Sequence, residues 1–367
     1  MAKFQLSTTV AIGAEALGLL EQYRDCRVLL VTDEHLVKLP VCQQVAAHFD
    51  QPVTCYDAVV PNPTIGQIAA GVTAYLEAEP ELVIALGGGS VMDAAKAMHK
   101  SAAEVNRSAR EGLIAIPTTS GSGSEVTAFA VLTDDAGHVK IPMQSPDMRP
   151  GVAILAPEAV VGCPPKVTAD SGMDALTHAI EAYVSVGATD FSDALAEKAA
   201  EIVFGNLVTC YRKGSDVTAR TRVHSAACMA AMAFDNAGLG ITHSLAHALG
   251  GSFPVAHGRL NAVLLNAVID FNALDARAAA RYAVLAQRFG RDAATPTIGV
   301  RNLTTAISQM NRALGIPKRL TQLGIEPEAL QDEMPSLVEQ ALADTCTEYN
   351  PRQPTAADLT ELLQRVA

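Results

Sequence analysis

The chain has 367 residues, of which 49% are hydrophobic and 18% are charged. This length suits two domains better than one, and the composition excludes an intrinsically disordered chain. Acidic residues number 39 and basic residues 27, a net charge of −12, and no Lys- or Arg-rich run is present. These features argue against nucleic acid or an anionic membrane surface as a partner.

The seven cysteines are scattered along the chain and form no CxxC pair. This distribution is typical of a reducing compartment and argues against a disulfide framework or a zinc finger. The N-terminus reaches the polar residues Ser7, Thr8 and Thr9 with no apolar signal core behind it. We therefore expect a soluble, cytoplasmic protein.

Up to about residue 160, short β-rich runs alternate with helical patterns such as Thr64–Glu79. This alternation predicts a doubly wound parallel sheet with helices on both faces. The last two runs before the final strand are separated by Asp134, Asp135, Ala136 and Gly137, which predicts a hairpin. The predicted strands are Arg27–Asp33, Pro52–Tyr56, Leu82–Leu86, Leu113–Pro117, the hairpin pair Ala128–Thr133 and His138–Pro142, and Val152–Leu155.

After Pro164 and Pro165 the pattern changes to long helical segments with few strand candidates. We therefore predict an α/β dinucleotide-binding domain over residues 1–165 and an all-α domain over residues 166–367. The predicted helices of the second domain span residues 168–186, 191–212, 217–236, 259–290 and 297–314.

Two loops at the ends of predicted strands are candidates for a nucleotide site. Leu82–Leu86 runs into Gly87, Gly88, Gly89 and Ser90, and a helix follows. Glycines let the backbone approach a pyrophosphate, and the helix N-terminus supplies free N–H groups. The loop is neither the GxGxxG fingerprint nor a P-loop, and a tight turn without a ligand is the alternative interpretation.

The second loop spans residues 118–125, follows Leu113–Pro117 and is rich in hydroxyl groups and glycine. It is interpreted as the second wall of the same site, with a solvated linker as the alternative. Asp33 ends the first predicted strand, where a carboxylate can bind ribose hydroxyls and repel a 2′-phosphate, favouring NAD. A turn or capping role is the alternative for Asp33.

Five side chains of the second domain form a candidate metal site. Asp174 and His178 are spaced i,i+4, as are His243 and His247, and His257 follows a segment broken by glycines and a proline. One carboxylate with imidazoles suits Fe(II) or Zn(II), and burying imidazoles in this apolar stretch without partners would be costly. The alternative for the first pair is a solvated helix face that also carries Asp170 and Glu181.

Taken together, these motifs resemble those of the iron-containing (group III) alcohol dehydrogenases. The resemblance implies a Rossmann-like N-terminal domain and a helical, metal-binding C-terminal domain, a fold shared with dehydroquinate synthase. It covers nearly the whole chain, through VPNPT at 60–64, GGGSVMDAAK at 87–96, IPTTSGSGSE at 116–125, DALTHAIEAY at 174–183, both histidine motifs, and Asn350, Pro351 and Arg352.

The resemblance also assigns roles to residues, motif by motif. The implied metal ligands are Asp174, His178, His243 and His257, with His247 as a catalytic histidine beside the metal. Two departures from the family pattern, Ser122 for a Thr and Asn266 for a Pro, remove no ligand. The implied cofactor-binding residues are Asp33, Asn62, Gly87, Gly88, Gly89, Ser90, Asp93, Thr118, Thr119, Ser122, Val131 and Lys140.

The implied activity is a metal-dependent, NAD(H)-linked interconversion of short-chain primary alcohols and aldehydes, such as 1-propanol and propanal or ethanol and acetaldehyde. The implied cofactors are NAD and Fe2+, with Zn2+ as the alternative ion. The resemblance further implies a homodimer, and association with other enzymes or the shell of a bacterial microcompartment.

Three other functions stay open from the sequence. The substrate could be lactaldehyde with propanediol, or a glycerol-type polyol. A dehydroquinate-synthase-like lyase would need Lys or Arg near the metal, and residues 170–186 and 238–258 contain neither. A non-catalytic scaffold would not need intact ligands and both loops.

Overall fold

The structure, a computed structural model, describes residues 3–105, 107, 109–135 and 140–367. The chain divides into two compact units. The α/β unit contains Leu6–Cys163 and Ser215–Cys228, and the helical unit contains Pro164–Gly214 and Met229–Ala367 with the N-terminal residues up to Gln5. A single boundary at residue 165 does not describe this division, because residues 215–228 return to the α/β unit.

The α/β unit is built on a parallel sheet of six strands. Its strands are β1 (Thr9–Ile12), β2 (Val28–Val31), β3 (Thr54–Tyr56), β4 (Leu82–Gly87), β5 (Leu113–Pro117) and β8 (Val152–Leu155). Their order in the sheet is β1-β8-β5-β4-β2-β3, and every neighbouring pair is parallel. The helices of the unit are α1 (Pro40–Ala46), α2 (Ile65–Ala78), α3 (Gly89–Glu104) and the short α4 (Pro157–Val160).

Both faces of this sheet are covered. Successive residues of a strand point to opposite faces, so Leu30 and Ile84 belong to one apolar cluster and Leu29 and Val83 to another. The first cluster includes residues of α1, and the second includes residues of α2 and α3. The predicted doubly wound parallel sheet is thus confirmed.

Two remaining strands form a separate hairpin, β6 (Phe129–Thr133) with β7 (Lys140–Gln144). The prediction placed its second strand at His138–Pro142, and the first two residues of that range lie outside the described residues. Strand β7 continues two residues beyond Pro142, so this predicted end was wrong. The prediction also missed β1, an edge strand whose residues are partly exposed and form no buried apolar run.

In the helical unit, the predicted segment 259–290 is two helices rather than one. The Asp275 side chain accepts the N–H of Ala278 and begins a new helix. Among the described residues, no helix has both the length and the apolar character that crossing a membrane requires. The longer helices after residue 164 are α5 (Pro165–Val184), α6 (Asp190–Arg212), α7 (Val217–Ala237), α8 (Ile241–Ser252), α9 (His257–Asn272), α10 (Ala276–Arg288), α11 (Pro296–Ala313), α12 (Pro327–Ala343) and α14 (Ala356–Val366), with the short α13 (Thr345–Glu348) before the last.

Candidate active site

Three imidazoles of the helical unit converge on one carboxylate oxygen, Oδ1 of Asp174. Asp174 and His178 lie one turn apart on α5, His243 lies in the first turn of α8, and His257 begins α9. Oδ1 of Asp174 is 3.9 Å from Nε2 of His178, 3.7 Å from Nε2 of His243 and 3.5 Å from Nε2 of His257. Donor atoms each bound at about 2.1 Å to one tetrahedral ion lie roughly 3.4 Å apart. The ligand atoms of Asp174, His178 and His243 all lie within 4.8 Å of one another and could hold a divalent ion. His257 adds a fourth imidazole, 3.5 Å from Oδ1 of Asp174.

The face of α5 that carries two of these residues is buried. Asp170 is 8% exposed, Asp174 7%, His178 5% and Glu181 3%. The interpretation of this face as a solvated surface is therefore wrong. Four polar side chains on one buried helix face require partners, and the neighbouring helices supply them.

The ionised form of Asp174 favours metal binding, whereas His243 would release a proton when it binds a metal ion. Burial alone would raise the pKa of Asp174, but the imidazoles of His178, His243 and His257 hold it far below its usual range. Burial alone would lower the pKa of His243, but its hydrogen bonds with Asp174 and Glu181 outweigh burial and raise it to about 9. Asp174 is thus ionised at neutral pH, the form in which a carboxylate binds a metal ion.

The side-chain amide of Asn261 lies inside the same cluster. Nδ2 of Asn261 donates to Oδ1 of Asp174 at 2.8 Å, and it lies 3.2 Å from Nε2 of His243 and 3.1 Å from Nε2 of His257. Asn261 was not among the predicted site residues. The sequence does indicate that Asn261 lies near His257, because the two residues are four apart on α9 and therefore share one helix face.

His247 lies one turn after His243 on α8, and its ring stacks on that of His257 with 5.1 Å between centroids. Nδ1 of His247 is 2.8 Å from Oδ2 of Asp344. Burial would raise the pKa of Asp344, but the hydrogen bond with His247 outweighs burial and lowers it to about 2. An ionised carboxylate only accepts, so Nδ1 carries the hydrogen and Nε2 is the acceptor atom of His247. Asp344 was not among the predicted site residues.

In the α/β unit, the loop between β4 and α3 presents bare backbone at the carboxyl end of the sheet. A Cβ atom on Gly87 would lie 2.4 Å from Cβ of Val91, and one on Gly89 would lie 3.0 Å from Oγ of Ser122. Within the described part of the chain, no side chain caps the start of α3 at Gly88. The first N–H groups and the positive dipole end of α3 suit a pyrophosphate.

The hydroxyl-rich loop after β5 lies directly against this first loop. Pro117 pairs with Gly87 across the two strands, and the N–H of Thr118 donates to the carbonyl of Gly87 at 2.9 Å. A Cβ atom on Gly88 would lie 3.4 Å from Oγ1 of Thr119. The loop is not a solvated linker, since its buried residues include Thr118, Ser120, Ser124 and Glu125. The two predicted walls are therefore adjacent.

Asp93 joins the second loop to β6. Its Oδ1 accepts from Oγ of Ser124 at 2.7 Å, and its Oδ2 accepts from the N–H of Val131 at 2.9 Å. Burial raises the pKa of Asp93. Both carboxylate oxygens hold the protein's own backbone and side chains, so Asp93 and Val131 shape the loop, and their contact with a cofactor stays a prediction.

Asn62 and Lys140 meet beside the first loop. Asn62 has a positive φ of 58°. Its N–H donates to Oγ of Ser90 at 3.2 Å, and its Oδ1 accepts from Nζ of Lys140 at 2.6 Å. Lys140 also donates to Oγ1 of Thr133 at 3.2 Å, and burial lowers the pKa of Lys140. Three predicted cofactor residues are thus linked in one hydrogen-bond chain.

Asp33 follows β2 at the carboxyl end of the sheet. Its Oδ1 accepts from the N–H groups of His35 and Leu36 at 2.9 Å and 2.8 Å. This is the turn-capping role that the sequence analysis gave as the alternative. The role of Asp33 at a ribose stays a prediction.

The chain is similar over its whole length to iron-containing alcohol dehydrogenases. The chain matches the family model for iron-containing alcohol dehydrogenase over residues 7–157, and the C-terminal model of the Fe-containing alcohol dehydrogenase family over residues 168–367. It is 40% identical to the 1-propanol dehydrogenase PduQ of Citrobacter freundii and 39% identical to that of Salmonella typhimurium, over 100% of each chain. A crystal structure of a 1,3-propanediol oxidoreductase matches with a TM-score of 0.92 and 29% identity, covering 100% of both chains.

Proposed function

The chain belongs to the iron-containing alcohol dehydrogenase family, and we propose that it interconverts short-chain primary alcohols and aldehydes, with 1-propanol and propanal or ethanol and acetaldehyde as substrates. The observation that carries this proposal is the convergence of three imidazoles on Oδ1 of Asp174, within 3.9 Å. Family membership favours this oxidoreductase chemistry over the lyase alternative.

Asp174, His178, His243 and His257 would hold Fe2+, with Zn2+ as the alternative ion. When bound, the ion would supply Lewis acidity towards the substrate oxygen, and NAD(H) would supply or accept the hydride. The side chain of His257 is 39% exposed, whereas that of His243 is 1% exposed. The ligand set is thus open on the His257 side, where a small substrate can approach.

NAD(H) would lie on the two adjacent loops of the α/β unit. Gly88, Gly89 and Ser90 begin α3, and their backbone would bind the pyrophosphate. The loop after β5 would form the second wall of the site. Oγ1 of its Thr119 lies 3.4 Å from the point where a Cβ atom added to Gly88 would be. The remaining proposed contacts are Asp33, Asn62, Gly87, Asp93, Thr118, Ser122, Val131 and Lys140.

His247 would move the hydroxyl proton of the substrate. Its Nδ1 is held by Asp344, which leaves Nε2 to accept or return a proton. Its stacking on His257 supports a place beside the metal ligands rather than among them. A catalytic metal needs one open position, and a fifth protein ligand would crowd it.

The surroundings of the metal ligands favour an uncharged substrate. Residues 170–186 and 238–258 contain no Lys or Arg. The nearby Arg259 is already occupied, since its Nε donates to Oδ1 of Asp170 at 2.8 Å. A phosphorylated or carboxylated substrate would therefore lack a cation in these segments.

Steady-state kinetics on anaerobically purified, Fe2+-loaded protein test the substrate class. The panel is acetaldehyde, propanal, butanal, lactaldehyde and an aldehyde phosphate with NADH, with Zn2+-loaded protein in parallel. We expect the highest kcat/KM for the unbranched, uncharged aldehydes. Preference for the phosphate would contradict the proposal.

His247→Ala should keep its metal, while turnover falls roughly 10²–10⁴-fold if the imidazole moves a proton in the transition state. Metal content and kcat are measured on one preparation. His48→Ala is the matched control, because His48 pairs with Glu21 in the α/β unit and its loss should leave turnover unchanged. Loss of metal from His247→Ala would make it a ligand, and unchanged turnover would make it a bystander.

We further propose that the protein is a cytoplasmic homodimer that works beside other enzymes or the shell of a bacterial microcompartment. The support is its full-length similarity to the 1-propanol dehydrogenases PduQ, together with its scattered cysteines. Sedimentation equilibrium of the purified chain tests the dimer, and pull-down by purified shell proteins tests the association.

A further inference from the structure

Helix α8 begins without a capping side chain of its own, because the residue before it is Gly240. Two side chains from distant parts of the chain accept its first N–H groups instead. Glu181 accepts from Gly240 through Oε2 at 2.9 Å and from Thr242 through Oε1 at 2.7 Å. Asn350 accepts from Ile241 through Oδ1 at 3.2 Å. These two residues, together the α8 clamp, fix where the helix starts.

Glu181 also holds a proposed metal ligand. Its Oε2 lies 2.6 Å from Nδ1 of His243, and both residues are buried, at 3% and 1% exposure. Oε2 also accepts the N–H of Gly240, and Oε1 accepts the N–H of Thr242. The carboxylate thus acts as an acceptor towards His243, so in the neutral ring Nδ1 carries the hydrogen and Nε2, which lies 3.7 Å from Oδ1 of Asp174, carries the lone pair.

We propose that Glu181 is a positioning residue that sets the metal affinity of the protein by fixing the tautomer and orientation of His243. The proposal rests on the proposed function, in which His243 is a metal ligand. A carboxylate that accepts from the outer nitrogen of a ligating histidine raises the basicity of the ligand, and its loss typically weakens metal binding 10–100-fold.

The α8 clamp also explains why Asn350 is buried and why position 240 is a glycine. Asn350 belongs to the Asn-Pro-Arg motif near the C-terminus, and it is fully buried, with further hydrogen bonds to Asn272. Gly240 must be glycine because an added Cβ would lie 2.8 Å from Oδ1 of Asn350 and 2.9 Å from Oε1 of Glu181. A side chain at position 240 would thus displace both acceptors from the start of α8.

The matched pair Glu181→Gln and Asn350→Ala separates holding the ligand from capping the helix. Both variants disturb the same helix end, but only Glu181 contacts His243. Glutamine keeps the shape, but only its Oε1 can accept, whereas the carboxylate accepts three N–H groups through two oxygens. When its NH2 group faces His243, the ring must carry its hydrogen on Nε2, where it blocks the metal.

The measurement is a Co2+ titration of demetallated protein, followed by the visible absorption of the bound Co2+ and by thermal unfolding. We expect the Co2+ Kd of Glu181→Gln to rise about 10–100-fold, with an altered Co2+ spectrum. Asn350→Ala should lower Tm yet leave the Kd within about threefold of wild type. Glu181→Asp retains the charge and should recover part of the lost affinity.

His243→Ala identifies which idea fails. If it binds Co2+ like wild type, the ligand set of the proposed function is wrong. If it loses Co2+ while Glu181→Gln binds like wild type, the positioning role is wrong and the ligand set stands. Equal loss of affinity in Asn350→Ala and Glu181→Gln would reduce the role of Glu181 to helix capping and overturn the inference.

Discussion

The carboxylate of Asp33 accepts two backbone N–H groups through Oδ1, and its charge lies at the carboxyl end of β2. Asparagine keeps an oxygen for the turn but removes the charge that repels a 2′-phosphate. We expect Asp33→Asn to raise the kcat/KM for NADPH relative to NADH by at least about tenfold, roughly 1.4 kcal/mol. An unchanged ratio at unchanged Tm would remove Asp33 from the cofactor site.

Glu125, in the second loop, is 2% exposed, and burial raises its pKa to about 7 although Lys96 and Cys228 act in the opposite direction. The unfolded chain holds this proton less tightly, with a pKa of about 4.3. The free energy of unfolding therefore falls as the pH rises from about 4.3 to about 7. We expect a loss of about 3 kcal/mol over this range in wild type that is absent from Glu125→Gln.

Urea unfolding of both proteins at pH 5 and pH 7.5 measures this difference. The comparison isolates Glu125, because all other titrating groups are common to the two proteins. Parallel pH dependences in wild type and Glu125→Gln would show that Glu125 titrates normally.

The buried strands could be predicted because parallel strands covered on both faces are short, continuous apolar runs. Leu113–Pro117 and Val152–Leu155 have the predicted bounds. Edge strand β1 has no such apolar run, since its residues are only partly buried. What makes it a strand is its pairing with β8, from Thr9 with Val152 onwards.

The ends of the helices were harder to predict than their apolar faces. The apolar period continues through 259–290, so the break between α9 and α10 depends on the cap at Asp275. Helix α12 was missed, and it contains Pro335, a residue that normally ends a helical pattern. Local sequence signals identify apolar faces better than they identify the ends of helices.

The proposed metal ligands could be grouped from spacing within single helices, as for Asp174 and His178, and their role as ligands stays a prediction. Their supporting residues could not, because tertiary packing brings them together. Asp344 is 97 residues from His247, and Glu181 is 62 residues from His243. Glu181 was visible in the sequence only as one more polar residue on the face of α5.

The proposed cofactor site and the proposed metal site lie in different units. All the proposed cofactor residues belong to the α/β unit, and all the proposed metal ligands belong to the helical unit. The return of residues 215–228 to the α/β unit could not be predicted, because they belong to the continuous helix α7. A continuous helical pattern carries no sign of a change of unit.

Metal binding should stabilise the helical unit, because one ion would join residues of α5, α8 and α9, from Asp174 to His257. An ion at about 1,000 times its Kd adds roughly 4 kcal/mol to the free energy of unfolding, since the unfolded chain has no assembled site. In a unit of this size, that corresponds to a rise in Tm of about 8–16 °C. Chelation of the metal should therefore lower Tm by this amount in differential scanning calorimetry.

His257→Ala lacks one proposed ligand and is the control, and chelator should change its Tm by less than about 2 °C. An equal effect of chelator on both proteins would place the stabilising ion elsewhere, and no effect on wild type would exclude a metal that bridges these helices.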